Sequence, residues 1–286
     1  MNSRGICALV QFFFVVVYGE KIRISNDLND VDYIYFPSNG QKPLVFKLDI
    51  DPKSLLNHGF DPKQDTKIIA HGWYVSGFIY AQEFANAYAK MGQVNVIGID
   101  WSKLATIDNY LQAAINSNRV GVHVGDNFVI KILFNQLGQV PEQIHANGHS
   151  LGAHLVGRLG RRVANKFGRK IARLTGLDPA KPYFDLMGIE NRIQSTDADL
   201  VDIIHTNAGY LHEGAVAFRD PLGQADFYPN GGSHQAGCTD LVCFWETCLG
   251  FGLIDFFLGK RHKKFMKIAW TKSVFFCRSL QSHKSS

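Results

Sequence analysis

At 286 residues, with 46% apolar and 19% charged side chains, the chain has material for a substantial core and reads as an ordinary globular protein rather than a disordered one. Its net charge of +5 comes from local clusters at Arg158 to Arg173 and Lys260 to Lys272. The absence of a continuous Lys/Arg stripe argues against nucleic acid as a partner and leaves a mild attraction to anionic lipid surfaces.

The chain opens with Arg4, the apolar run Ile6 to Val17, and Gly19 just before Glu20 and Lys21. That run is too short to span a bilayer, and its flanks predict a cleaved secretory signal peptide over 1–19, with a buried first strand as the alternative. No later stretch approaches the roughly 20 uninterrupted apolar residues of a membrane helix. Even Leu249 to Leu258 is broken by Gly250, Gly252 and Asp255. A secreted, extracellular protein is expected. Loss of Cys7 with the leader leaves Cys238, Cys243, Cys248 and Cys277. In an oxidising compartment these predict two disulfides in one of three pairings; a zinc site is the alternative, weakened by the lack of a Cys-x-x-Cys pair. No Asn-x-Ser/Thr acceptor occurs, so N-glycosylation is not expected.

Beyond the leader, short β-branched runs alternate with helical patterns. Thr66 to Ala70 and Val94 to Ile99 read as strands, and between them Ile79, Phe84, Ala87 and Met91 recur at helical spacing. A helical stretch over Ile107 to Leu137 precedes Pro141 and the short strand Ile144 to Asn147. Another, Ala153 to Lys166, precedes Ile171 to Leu177, and Leu200 to His205 is a further strand. Such alternation predicts a mostly parallel sheet covered by helices on both faces. With no linker or internal repeat, 20–286 reads as one domain.

The strand Ile144 to Asn147 runs into Gly148-His149-Ser150-Leu151-Gly152, and a helix starts at once. This is a G-x-S-x-G nucleophile elbow in its strand, turn, helix setting, with Ser150 as nucleophile and the N–H groups of the following helix facing a developing oxyanion. The triad acid should close the next strand. That strand ends at Asp178-Pro179, where proline stops the ladder and leaves Asp178 on the same sheet edge; a turn or cap carboxylate is the structural alternative.

Six motifs in order then resemble one family: His71-Gly72-Trp73, Asp100-Trp101, Gly148-His149-Ser150-Leu151-Gly152-Ala153-His154, Gly176-Leu177-Asp178-Pro179-Ala180, Ile204-His205-Thr206 and Asp226-Phe227-Tyr228-Pro229-Asn230-Gly231-Gly232. From about Val31 to Gly237 the chain resembles the pancreatic-lipase family, most of all its insect lipase and venom phospholipase A1 branch. The resemblance implies an α/β-hydrolase fold, a Ser150/Asp178/His triad and an oxyanion hole from the backbone N–H groups of Trp73 and Leu151.

Family members place the catalytic histidine after a lid loop in a Cys-x-His-x-Arg pattern. Here that position resembles Lys260-Arg261-His262-Lys263-Lys264, which makes His262 the expected base although Lys260 replaces the cysteine that staples the lid. His149, His154 and His205 are expected to be structural. Leu241 to Leu258, rich in Phe, Trp, Leu and Ile, reads either as a lipid-facing lid or as a covered core segment. No β-sandwich domain is expected after the catalytic domain, and colipase is not an expected partner. Metal and organic cofactors are not expected either. The function implied is hydrolysis of a lipid carboxylic ester, of a triacylglycerol or at the sn-1 position of a phospholipid, at a membrane, micelle or droplet surface. The alternative is an inactive lipid-binding or storage protein on the same fold, like the yolk proteins of the family.

Overall fold

Residues 66–70 are buried nearly throughout, as expected of a strand covered on both faces, and they lie at the heart of the sheet. The computed structural model describes residues 25–73, 75–90, 92–105, 109–209 and 215–233. Within them eight strands form one sheet: β1 (Asp32–Phe36), β2 (Leu44–Phe46), β3 (Thr66–Ala70), β4 (Asn95–Asp100), β5 (Ile144–His149), β6 (Arg173–Leu177), β7 (Leu200–Ile204) and β8 (Ala225–Phe227). Their spatial order is β2-β1-β4-β3-β5-β6-β7-β8. β1 runs antiparallel to both β2 and β4, and every other pairing is parallel. This is the α/β-hydrolase fold.

The helices are α1 (Pro52–Asn57), α2 (Gly77–Tyr88), α3 (Tyr110–Val124) and α4 (Leu151–Phe167); α3 continues as a π-helix over Gly125–Gln136. Asn109 starts α3 by accepting the Gln112 N–H at 3.0 Å, and Gly168 at φ 79° ends α4. Alternation along the strands sends side chains to two cores. Ile68 and Ala70 join Val120, Leu155 and Leu159 in the larger one, beneath α3 and α4. Ile69 joins Ala81 and Ala85 of α2 in the smaller one on the opposite face. Each fully buried aliphatic side chain contributes about 1.5–3 kcal/mol, so α4 is fixed firmly by Leu155, Val156, Leu159 and Val163.

The strands expected at 66–70, 94–99, 144–147, 171–177 and 200–205 are present, with ends shifted by no more than two residues. β1, β2, α1 and β8 are additions. Two of them span three residues each, too few for a periodicity to register. No helix among the described residues is long and apolar enough to cross a membrane. The leader 1–19, the segment 241–258, the four cysteines and His262 lie outside the described residues.

Candidate active site

The chain visits β3, β4 and β5 in sequence, yet β3 lies between the other two. The connections leaving β3 and β5 therefore part company at their carboxyl ends, and a crevice opens where open α/β sheets bind their ligands. Register narrows the place further: Ala70 pairs with Gly148, and His149 pairs with Leu177. The residues one step on, Ser150 and Asp178, thus leave adjacent strands about 4.8 Å apart. Cavities of about 140 Å³ beside Phe36 and Ala85 and about 290 Å³ beside Leu28 and Lys47 border neither residue.

Ser150 sits at φ 55°, ψ −119°, a conformation that costs a residue with a Cβ on the order of 1–3 kcal/mol. Packing enforces it. A Cβ on Gly148 would lie 2.1 Å from the Gly152 carbonyl oxygen, and one on Gly152 would lie 2.4 Å from that of Ala70, so only glycines let α4 start this close to β3 and β5. Gly72 is constrained by the serine itself: its Cβ would stand 2.9 Å from Ser150 Cβ, which places the His71-Gly72-Trp73 loop against Ser150. Serine at a helix N-cap usually caps with its hydroxyl, but Ser150 makes no capping bond, and its Oγ is left for chemistry. Leu151 is the first residue of α4, so its N–H needs no helical partner.

Asp178 also has a left-handed backbone, at φ 46°. Its N–H donates to the Ile204 carbonyl at 2.9 Å. Its Oδ1 accepts the N–H groups of Thr206 (2.6 Å) and Asn207 (3.0 Å), and its Oδ2 accepts the Thr206 hydroxyl. Three donors from the turn after β7 hold one carboxylate. The turn is held in its own right: His205 places Nδ1 2.7 Å from the Phe218 carbonyl and Nε2 2.8 Å from Asp226 Oδ1, and stacks on Tyr228 at 4.3 Å between ring centres.

The neighbouring histidines have other work. His205 has both nitrogens engaged, as expected of a structural residue. His154 is fully buried, with Nε2 2.7 Å from the Ala180 carbonyl and Nδ1 accepting the Ile193 N–H; burial pushes it down to about 3, so it is neutral. His71 holds Gly72 O and the Trp101 N–H. His149 stacks on Tyr80 at 5.9 Å, and its covered Nδ1 has no partner among the described residues. Burial holds its imidazole below the ordinary value against the opposing pull of Asp178, and raises the Tyr80 hydroxyl. His262 lies outside the described residues, so its approach to Ser150 and Asp178 is not part of this geometry.

A family model described as Lipase matches residues 22–256. The chain belongs to the pancreatic-lipase family. Human pancreatic lipase-related protein 3 is 38% identical over 184 residues, 64% of this chain and 37% of that protein. Rat pancreatic lipase-related protein 2 is 35% identical over 228 residues, 75% of this chain and 46% of the relative. Mouse pancreatic triacylglycerol lipase is 36% identical over 211 residues, covering 70% and 44%. The chain thus spans less than half the length of these relatives.

In this member of the pancreatic-lipase family the fold brings together Ser150, Asp178, the loop bearing Trp73 and the start of α4 at Leu151. Trp73 packs edge-on against Tyr110 at 5.2 Å, and the Tyr110 hydroxyl donates to the Pro182 carbonyl at 3.0 Å. The donors to the Asp178 carboxylate were missed by sequence reasoning. Ile204-His205-Thr206 was legible as a motif, but one donor is its Thr206 backbone N–H and another is that of Asn207, outside it, and every residue except proline possesses such a group.

Proposed function

We propose that this chain is a serine carboxylic-ester hydrolase acting on lipid esters, exported from the cell by its N-terminal leader. The observation that carries this reading is the uncommitted Ser150 hydroxyl, on a strained turn at the topological switch point, beside an Asp178 carboxylate held by three donors.

In the proposed cycle, Ser150 Oγ attacks the ester carbonyl carbon and His262 takes the hydroxyl proton. Asp178 orients the imidazolium, and the N–H groups of Trp73 and Leu151 receive the charge on the carbonyl oxygen. Collapse breaks the ester C–O bond, and His262 returns the proton to the leaving alcohol. Water, deprotonated by the same imidazole, then releases the fatty acid from Ser150. Triacylglycerol, the substrate class in the name of the mouse relative, and the sn-1 ester of a phospholipid both fit this chemistry.

The test is hydrolysis by the purified chain of triacylglycerol emulsions and of phospholipid vesicles, together with fluorophosphonate labelling. Fatty-acid release and labelling that vanish in Ser150→Ala and His262→Ala support the reading, and the preferred lipid names the substrate. A folded chain with neither turnover nor labelling overturns it in favour of a lipid-binding protein, the reading to which Lys260, in place of the lid cysteine, lends weight.

A further inference from the structure

His71 follows β3 and is fully buried, yet it lies outside the proposed proton relay. Its Nδ1 stands 2.7 Å from the carbonyl oxygen of Gly72, the very next residue. Its Nε2 accepts the Trp101 N–H at 3.1 Å, and its own carbonyl accepts the Trp101 Nε1–H at 2.9 Å. The two rings stack at 5.4 Å. A carbonyl oxygen can only accept, so the proton is on Nδ1, and Nε2 offers its lone pair to Trp101. Asp100 Oδ1 stands 3.5 Å from the same Nε2, at the outer limit of a hydrogen bond, and accepts the Ser102 N–H at 3.1 Å. Imidazole and indole thus tie the loop after β3 to the end of β4.

The consequence lies in one peptide group. The Gly72 carbonyl and the Trp73 N–H belong to the same planar unit, and no described peptide bond is cis. In a trans peptide the N–H points opposite to the C=O. Whatever fixes the direction of the Gly72 oxygen therefore fixes the direction of the Trp73 N–H. The oxygen is held inward by the His71 ring, so the N–H faces outward from a loop that lies against Ser150. A glycine at 72 gives this peptide two soft torsions on one side, and without a tether the plane is free to rotate.

We propose that His71 is a positioning residue of the oxyanion site, which it sets by holding the Gly72 carbonyl through Nδ1–H. This rests on the esterase reading above and deepens it. Preorganised donors matter most when charge develops on the substrate oxygen, so loss of the tether should lower kcat and leave KM nearly untouched.

Two near-isosteres separate the two ring contacts. In His71→Asn the amide nitrogen stands where Nδ1 stood and still donates to Gly72. In His71→Gln the amide reaches the Nε2 position, meets the Trp101 N–H and leaves Gly72 untethered. The experiment measures kcat and KM of the full chain on a soluble p-nitrophenyl ester, counts active sites with a fluorophosphonate, and records Tm and the affinity of a trifluoromethyl ketone. The expected result is a fall in kcat of about 10²-fold for Gln, with an equal loss of ketone affinity and unchanged KM, while Asn stays within about threefold of the parent. Equal losses in both variants, or a loss that disappears when rates are divided by active sites, overturns the proposal. Should the Gln variant fail to fold, His71→Leu takes its place: it keeps much of the bulk but offers the Gly72 carbonyl no donor, and an unchanged kcat per active site there overturns the positioning role. A parent chain that neither turns over esters nor reacts with the probe overturns the esterase reading, and the tether's function with it.

Discussion

Two turns on neighbouring strands carry the proposed nucleophile and acid, and each forces a residue with a side chain into the left-handed region, Ser150 at φ 55° and Asp178 at φ 46°. They are held there by different physics. The Ser150 turn is held by absence: Gly148, Gly152 and Gly72 remove three Cβ atoms that would collide with the backbone or with the serine. The Asp178 turn is held by presence, through four hydrogen bonds to the end of β7 and the residues that follow. A turn fixed by packing stores its strain whatever the serine hydroxyl does. A turn fixed by bonds to the side chain loses its support when the carboxylate is changed.

Replacing each residue by glycine breaks the comparison most sharply. Ser150→Gly removes the nucleophile, so all hydrolysis and fluorophosphonate labelling should disappear. It also relieves a strain on the order of 1–3 kcal/mol that exceeds the entropic cost of glycine, about 0.5–1 kcal/mol, so Tm should rise by a few degrees. Asp178→Gly relieves similar strain but leaves the Thr206 and Asn207 N–H groups without their acceptor, at about 1–3 kcal/mol for each that is buried, and Tm should fall. Calorimetry in which both variants move the same way would show that the two turns are held alike.

Asp178→Asn sharpens the difference between charge and support. The carboxamide oxygen still accepts both N–H groups at the Oδ1 position, and the Thr206 hydroxyl can turn to accept from the amide nitrogen. Stability should therefore stay within about 1 kcal/mol of the parent. Turnover should drop by about four orders of magnitude, because a neutral amide no longer stabilises the imidazolium. A loss of less than tenfold would remove Asp178 from the triad.

The contrast also explains which parts were legible in advance. Glycines are visible in a sequence, and Gly148-His149-Ser150-Leu151-Gly152 disclosed the strand, turn and helix around Ser150 almost residue by residue. The parallel strands β3 to β7 were legible because burial on both faces favours short, largely apolar runs, even where polar residues such as His145 and Asn147 interrupt them. The antiparallel edge was not: β2 spans three residues, and of these only Phe46 is buried. Asp178 was legible from the proline that follows it, whereas its donors were not, since a backbone N–H leaves no mark in the residue alphabet. His71 was read as part of a motif, and its tie to Gly72 depends on a ring nitrogen whose partner only the fold brings into reach.

Acid should weaken the shared scaffold beneath both turns. Burial holds His145 down to about 4 and His154 down to about 3, below the ordinary value of 6.5. Both fold as neutral rings, and the unfolded chain binds their protons first. The stability they contribute is complete above about pH 6.5 and is lost as pH falls toward 4 and 3, by a few kcal/mol together at the lower end. Asp100, where the effect of burial is outweighed by hydrogen bonds from Ser102 that lower its carboxyl, loses its contribution only below about pH 4. Tm should be flat from pH 7 to 8 and decline below 6.5. A decline that begins only below pH 4.5 would exclude the two histidines as its cause.

The smallest effect tests whether the bonds that hold the acid are equivalent. Thr206→Val keeps the shape of the side chain and removes one donor, the hydroxyl on Asp178 Oδ2, while both N–H groups on Oδ1 remain. A hydrogen bond to a charged acceptor contributes about 1.5–3 kcal/mol, but part of that returns here because Asp178 is only partly buried and water can reach the freed oxygen. The net cost in stability should be about 1 kcal/mol. Kinetically, the carboxylate gains freedom to rotate about its bond to Cβ while its charge stays in place, so kcat should fall by about three- to tenfold and KM should hold. Thr206→Ser restores the hydroxyl and should restore kcat. If Val costs as much turnover as Asp178→Asn, orientation of the carboxylate outweighs its charge; if Val costs nothing, the two N–H groups alone fix the acid, and the hydroxyl serves only the turn.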